Sequence, residues 1–262
     1  MSSSLLLGAS GERYHVARTR LCRFGAVCAV LVIVLQGFQE IAYRSFIPVA
    51  DSPAAKLAAR ALPMDMARGA AVFTAIVCMS FVFAATALER LPRAPGAALV
   101  GFANMLLFCC FELGYRSVDM LFVSRHWAQE YQASHSESVR AMLAERAAQW
   151  DAMVEALYLP LVLTAAIGAT CFALSLRGER TFAARLGLIA WSLNAVRLGI
   201  RVLSFAGIDL LKGVSDAIYF PVVAVIYSLL ATWLWHAASM QAPIGGAQHE
   251  PGESHLQAGA LR

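Results

Sequence analysis

Six apolar segments, each about 20 to 30 residues long and separated by short charged or proline-bearing connections, constrain this chain more than any other feature. A helix of about 20 apolar residues crosses the roughly 30 Å hydrocarbon core of a bilayer with its backbone N–H and C=O groups bonded internally, which irregular backbone in lipid cannot achieve. The expected fold class is therefore all-α: a polytopic membrane helical bundle of about six transmembrane helices. Composition agrees, since 59% of the 262 residues are hydrophobic and 15% are charged, against about 25% charged in soluble domains. The bilayer is the first partner, and little length remains for a separate soluble domain.

The boundaries follow from capping and turn signals. Residues 1–15 read as a disordered tail, 16–240 as the membrane domain and 241–262 as a disordered polar tail. Spans are expected at about 20–45, 69–88, 96–125, 152–176, 182–206 and 216–239. The basic flank of the first run resembles a secretory signal, but Gln39, Glu40, Ile41, Ala42 and Tyr43 follow it without an Ala-x-Ala pattern, so the run is retained as a span. Ser52 and Pro53 open a short surface helix over 53–61 that Pro63 ends. Ser134 and Glu137 match a capping box, and Val139, Met142, Leu143 and Trp150 recur at helical spacing, which predicts an amphipathic surface helix over about 135–150. Pro221 is placed to kink the sixth span. Lysine and arginine in short connections favour the cytoplasm, and both termini are assigned there from Arg18, Arg20, Arg23, Arg90, Arg93, Arg177 and Arg180.

Against this apolar background the polar residues stand out, because an ionisable side chain at the bilayer centre costs at least about 2.5 kcal/mol. Gln36, Glu40 and Arg44 share one face of the first span, and Glu112, Arg116 and Asp119 form a stripe on the third. Asn194, Arg197, Arg201 and Ser204 follow the same-face period on the fifth. The fourth and sixth spans open with Asp151, Glu155 and Tyr158, and with Asp216 and Tyr219. Applied to the topology, these groups fall in the middle or outer half of each span, late in odd-numbered helices and early in even-numbered ones. A polar cluster or cavity opening away from the cytoplasm is expected, with Arg197 and Arg201 set against Glu112, Asp119, Asp151 or Glu155.

Three functions suit such a cluster. It binds or transports a small anionic or lipid-like ligand or assists a membrane complex, with Arg197 and Arg201 as a forked donor pair and Asn194, Glu112, Arg116, Asp119, Glu40, Glu155, Tyr158 and Tyr219 around them. It serves a membrane-embedded enzyme acting on a lipid or amphiphile, or it is an ion-pair network that only fixes helix packing. A proton or cation pathway through Glu112, Asp119 and Glu155 is a further use of its acids. No catalytic residue, metal ligand set or cofactor is expected, since zinc-protease, phosphate-loop and nucleophile-elbow patterns are missing and His236 sits alone. The six cysteines read as small hydrophobes. A net charge of +4 without a basic stripe gives no nucleic-acid partner. Gly114, Gly168 and Gly199 suit close helix contacts within the chain or in a homo-oligomer.

The hairpin 69–125, the segment before the fourth span and residues 182–206, reading FAARLGLIAWSLNAVRLGIRVLSFA, resemble a bacterial family of six-helix membrane proteins of similar length, the domain of unknown function 4386. The resemblance implies a multi-pass protein of the bacterial inner membrane and brings no established activity or site residue with it.

Overall fold

A computed structural model describes residues 2–48, 50–205, 208 and 218–239, with side chains from Tyr14 onward. Its helices are α1 (Ser2–Phe46), α2 (Pro53–Arg60), α3 (Pro63–Arg90), α4 (Pro95–Val118), a π-helical stretch Asp119–Trp127, α5 (Ala128–Ala133), α6 (Glu137–Ser175), α7 (Phe182–Phe205) and α8 (Tyr219–Ser239). Six helices are long and apolar enough to cross a membrane: Tyr14–Phe46, Pro63–Arg90, Pro95–Ala133, Glu137–Ser175, Phe182–Phe205 and Tyr219–Ser239. The protein is a multi-pass integral membrane protein built as an all-α six-helix bundle.

Consecutive spans are neighbours, and the last packs on the first. α1 lies against α3, α3 against α4, α4 against α6, α6 against α7, α7 against α8, and α8 returns to α1. Short connections between antiparallel helices dictate this order, because each turn delivers the chain to the adjacent position. Six helices in a closed ring leave a central space that side chains must fill or line. Near one end, here the hairpin end because it holds the turns 91–94 and 176–181, it is filled: Trp191 stacks on Phe172 at 4.7 Å and on Phe83 at 5.9 Å between ring centroids. Toward the opposite end, the cap end, it stays open.

Close approach of α4 and α6 depends on Gly168, where an added Cβ would sit 2.8 Å from Met105 Cγ and 3.0 Å from the Gly101 carbonyl oxygen. Gly168 therefore serves the contact expected of it. Gly114 and Gly199 make no such contact within the chain, since an added Cβ at either meets nothing within 4 Å.

The cap end departs from the sequence reading. α6 runs without a break through 39 residues, roughly 58 Å at 1.5 Å per residue and about twice the hydrocarbon thickness. Residues 137–150 thus prolong the fourth span rather than forming a separate surface helix. The residues from Pro95 to Ala133 prolong the third span in the same way. Leu57 of α2 packs into the cluster formed by Val123, Ala128, Tyr131, Leu143, Ala144 and Ala147. An apolar seam between the two extensions explains the helical spacing of Val139 and Leu143, whose partner is protein rather than a membrane surface.

Local signals fared unevenly. Ser52 Oγ accepts from the Ala55 amide at 3.2 Å with Pro53 in the first turn, as expected of a cap. Ser134 instead accepts from the Ser136 amide, and the N-cap of α6 is Ser136 without a side-chain bond. Pro221 falls in the first turn of α8, where no intrahelical bond is lost, so it imposes no kink. α1 is helical from Ser2, including the residues expected as a tail. Asp216, Lys212 and the tail 241–262 lie outside the described residues.

Candidate functional site

The open part of the ring is a cavity of about 210 Å³ to which all six spans contribute. Its polar wall comprises Gln36 and Gln39 from α1, Glu112 and Arg116 from α4, Tyr158 from α6, Asn194, Arg197 and Arg201 from α7, and Tyr219 from α8. Toward the hairpin end the lining turns apolar, with Ile76, Met79, Phe83, Met105, Val162 and Val223. The gradient follows from each helix's register. Residues such as Arg197 and Asn194 stand one turn or less apart on one face, and the apolar residues of that face continue down to Trp191.

Glu112 organises the α4 side. It is 5% exposed; its Oε1 accepts from Tyr115 Oη at 2.9 Å and from Arg116 Nε and Nη2 at 3.3 Å. The Arg116 guanidinium also lies 4.6 Å from the Tyr115 ring centroid. On α7, Arg197 donates to Asn194 Oδ1 at 3.2 and 3.4 Å and stands 5.6 Å from the Tyr219 ring centroid. Arg201 lies 5.7 Å from the Phe205 ring centroid, besides other contacts.

The expected pairing of Arg197 and Arg201 with four acids is corrected at three of the four. Asp119 and Asp151 are both held by Arg60 of α2, the second at 2.6 Å, and Trp150 Nε1 also donates to Asp119 at 3.2 Å. They tie the cap together and do not line the cavity. Glu155 is exposed on α6 and also lies outside the lining. Glu112 does line it but pairs with Arg116. Glu40 pairs with Arg44 on α1, away from the cavity. Among the described lining residues Glu112 is the one carboxylate against Arg116, Arg197 and Arg201.

Two acceptors facing this region, Glu112 Oε2 and Gln36 Oε1, are buried without a hydrogen-bond partner among the described residues. A buried acceptor left unpaired costs about 1–3 kcal/mol, so both favour an occupant bearing polar hydrogens. Among the described residues no group of three His, Cys, Asp or Glu gathers to hold a metal ion.

Sequence reasoning missed two sets of residues. Arg60, on a short helix between spans, gave no sign that it would reach two acids 59 and 91 positions away. At the hairpin end Arg18 bonds Glu89 through Nε at 2.9 Å and Nη2 at 2.6 Å, Arg93 reaches Glu89 at 3.1 Å, and Arg90 reaches Glu179 at 2.6 Å and the Ser175 carbonyl. Arg18, Glu89 and Arg90 are all buried. The one available signal was an acid among arginines in or beside each short turn at that end, Glu89 just before 91–94 and Glu179 within 176–181. Comparison with family models, with curated proteins and with solved structures returns no match.

Proposed function

We propose that this membrane protein resides in a bacterial inner membrane with both termini cytoplasmic and binds, from the non-cytoplasmic side, a small amphiphile with an anionic head group, to move it or to pass it to a membrane partner. The single observation that carries the reading is Arg197: it faces a cavity lined by all six spans, and its polar partner there is the neutral amide of Asn194. A guanidinium at membrane depth is costly without a counter-charge. Arg116 already has Glu112, and Asp119 and Asp151 are held elsewhere, so an anion entering the cavity supplies Arg197 with a counter-charge that the described residues do not. Phosphate and carboxylate match a guanidinium by two parallel N–H···O bonds. The apolar residues below the arginines suit the uncharged part of the ligand, and Glu112 Oε2 suits a head-group hydroxyl.

Orientation rests on charge. The hairpin end gathers Arg18, Arg20, Arg23, Arg90, Arg93, Arg177, Arg180 and Arg185 in or beside short connections, whereas Lys56, Arg60, Arg68, Arg125, Arg140 and Arg146 at the other end are spread over longer segments that also hold many acids. That bias supports a hairpin end inside and a cavity mouth outside.

Binding of dodecyl phosphate to detergent-purified protein tests the reading. The double variant Arg197→Gln/Arg201→Gln is expected to bind at least about tenfold more weakly, since a hydrogen bond to a charged group contributes about 1.5–3 kcal/mol. It should remain monodisperse, and dodecanol should not tell the two proteins apart. Equal affinity of wild type and variant for dodecyl phosphate removes the arginines from any binding role.

A further inference from the structure

A second concavity lies on the outside of the bundle beside the first. Cys110, Phe111, Gly114, Tyr115 and Val118 of α4 face Trp150, Val154, Leu157, Tyr158 and Leu161 of α6 across an apolar groove of about 260 Å³. Phe111, Val118 and Leu157 are exposed, which on a spanning helix means that they face the acyl chains of the bilayer. Tyr158 and Leu161 also line the central cavity, so groove and cavity share a wall. The wall is thin: Tyr115 stands edge-on to Tyr158 with ring centroids 6.3 Å apart, and its hydroxyl is held by Glu112 inside the cavity.

Resting on the reading above, we infer that the ligand is a membrane lipid with an anionic head group, whose head lies in the cavity and whose acyl chain lies in the α4–α6 groove. Size supports this choice over a water-soluble anion. Small-molecule sites measure about 300–1,000 Å³; the cavity alone falls short of that range, and cavity and groove together fall within it. Chemistry supports it as well. The groove offers a chain an almost wholly apolar lining, while Arg116 and Arg197 in the adjoining cavity offer the head its charge partners, Arg116 two residues from Gly114 on α4. Tyr115 is the movable part of the wall. Turning it toward the lipid breaks its hydrogen bond to Glu112 and its contacts with the Arg116 guanidinium and the Tyr158 ring, and joins the two spaces, so a head group passes sideways from the leaflet without leaving the membrane.

Gly114 makes the inference testable. A Cβ there meets nothing within 4 Å, so the side chain of Gly114→Phe starts into open groove space, and Val118→Phe fills the groove from an exposed position one turn away. Wild-type protein is placed in phosphatidylcholine vesicles containing a small fraction of phosphatidic acid brominated along its acyl chains. Brominated phosphatidylcholine at the same fraction is the control, and quenching of tryptophan fluorescence is read. Expected is saturable excess quenching by the anionic lipid, missing in Trp150→Phe because Trp150 lines the groove, lost in Gly114→Phe and in Val118→Phe, and kept in Gly114→Ala. Equal quenching by both lipids, or excess quenching that survives both fills, overturns the inference and leaves the groove bathed by ordinary bilayer lipid. Dodecyl phosphate separates the two failures. If it binds in an Arg197-dependent way while the lipids are not distinguished, the cavity reading stands and the lateral route falls; if it does not bind wild type, both fall.

Discussion

The two ends of the bundle use the same residue types to opposite ends. At the hairpin end Arg18, Glu89, Arg93, Arg90 and Glu179 form a chain of ion pairs that joins α1 to two turns, with Arg18 and Arg90 reaching charged partners from buried positions. Toward the cap end Arg116, Arg197 and Arg201 border an open cavity, and only one carboxylate among the described lining residues faces them. Partner count separates the two. A buried charge with its partners in place holds helices together; Arg197, whose polar partner among the described residues is a neutral amide, is available for something else. The hairpin end therefore reads as a fixed seal beneath the Phe83–Trp191–Phe172 stack, and the cavity as the variable part of the protein.

That contrast breaks most readily at Glu89. Glu89→Ala removes the common partner of Arg18 and Arg93, and loss of one member of a buried pair costs about 3–5 kcal/mol. Thermal unfolding of the detergent-purified variant should show the largest drop of any single charge substitution in the protein, and poor monodispersity on gel filtration is expected with it. A melting temperature equal to wild type would mean that the hairpin-end pairs are as loosely tied as the cavity, and the distinction between the ends would disappear.

Arg60 sits between the extremes. It bridges Asp119 and Asp151, but its side chain is 21% exposed and that of Asp151 39%, so solvent screens the pairs and about 1 kcal/mol is a fair expectation for Arg60→Gln. The readout is local. α2 should release from the Leu57 seam before the bundle melts, giving faster tryptic cleavage at Lys56 with little change in the main unfolding transition. Cleavage at the wild-type rate would show that the apolar seam alone holds α2.

How far the sequence led differs between backbone and site for the same physical reason. Spans, their order and the polar level in the cap half were legible because hydropathy and the 3.6-residue period act within one helix. Asn194, Arg197 and Arg201 on one face of α7, and Glu112 with Arg116 on α4, needed nothing more than spacing. Pairing between helices was not legible, because it depends on reach and on rivals. Asp119 carries the same spacing from Arg116 that same-face residues share, yet the π-helical stretch beginning there and the nearby Arg60 turn it to the cap. Glu155 sits one turn from Tyr158 and still faces outward. Residues 137–150 looked amphipathic for a membrane surface because the protein surface they pack on, formed by residues 119–133 and Leu57, exists only once the chain has folded.

The smallest effect is expected at Arg197, and it is the most informative. Were the cavity a packing network like the hairpin end, Arg197→Met should cost as much as Glu89→Ala, because each would leave a buried partner without its charge. The partners here are Asn194, a neutral amide, and the ring of Tyr219. Removing the guanidinium takes away a cation–π contact of about 0.5–2 kcal/mol and a modest hydrogen bond, and it also takes away an intramembrane charge whose burial is costly. These contributions oppose one another, so the unfolding transition without ligand should move by less than about 1 kcal/mol in either direction. With dodecyl phosphate present the wild type should be stabilised further and the variant should not, since a ligand raises stability only in proportion to its binding to the folded state. Strong destabilisation of the unliganded variant would instead make Arg197 a structural residue, and the two ends of the bundle would then be variations on one seal.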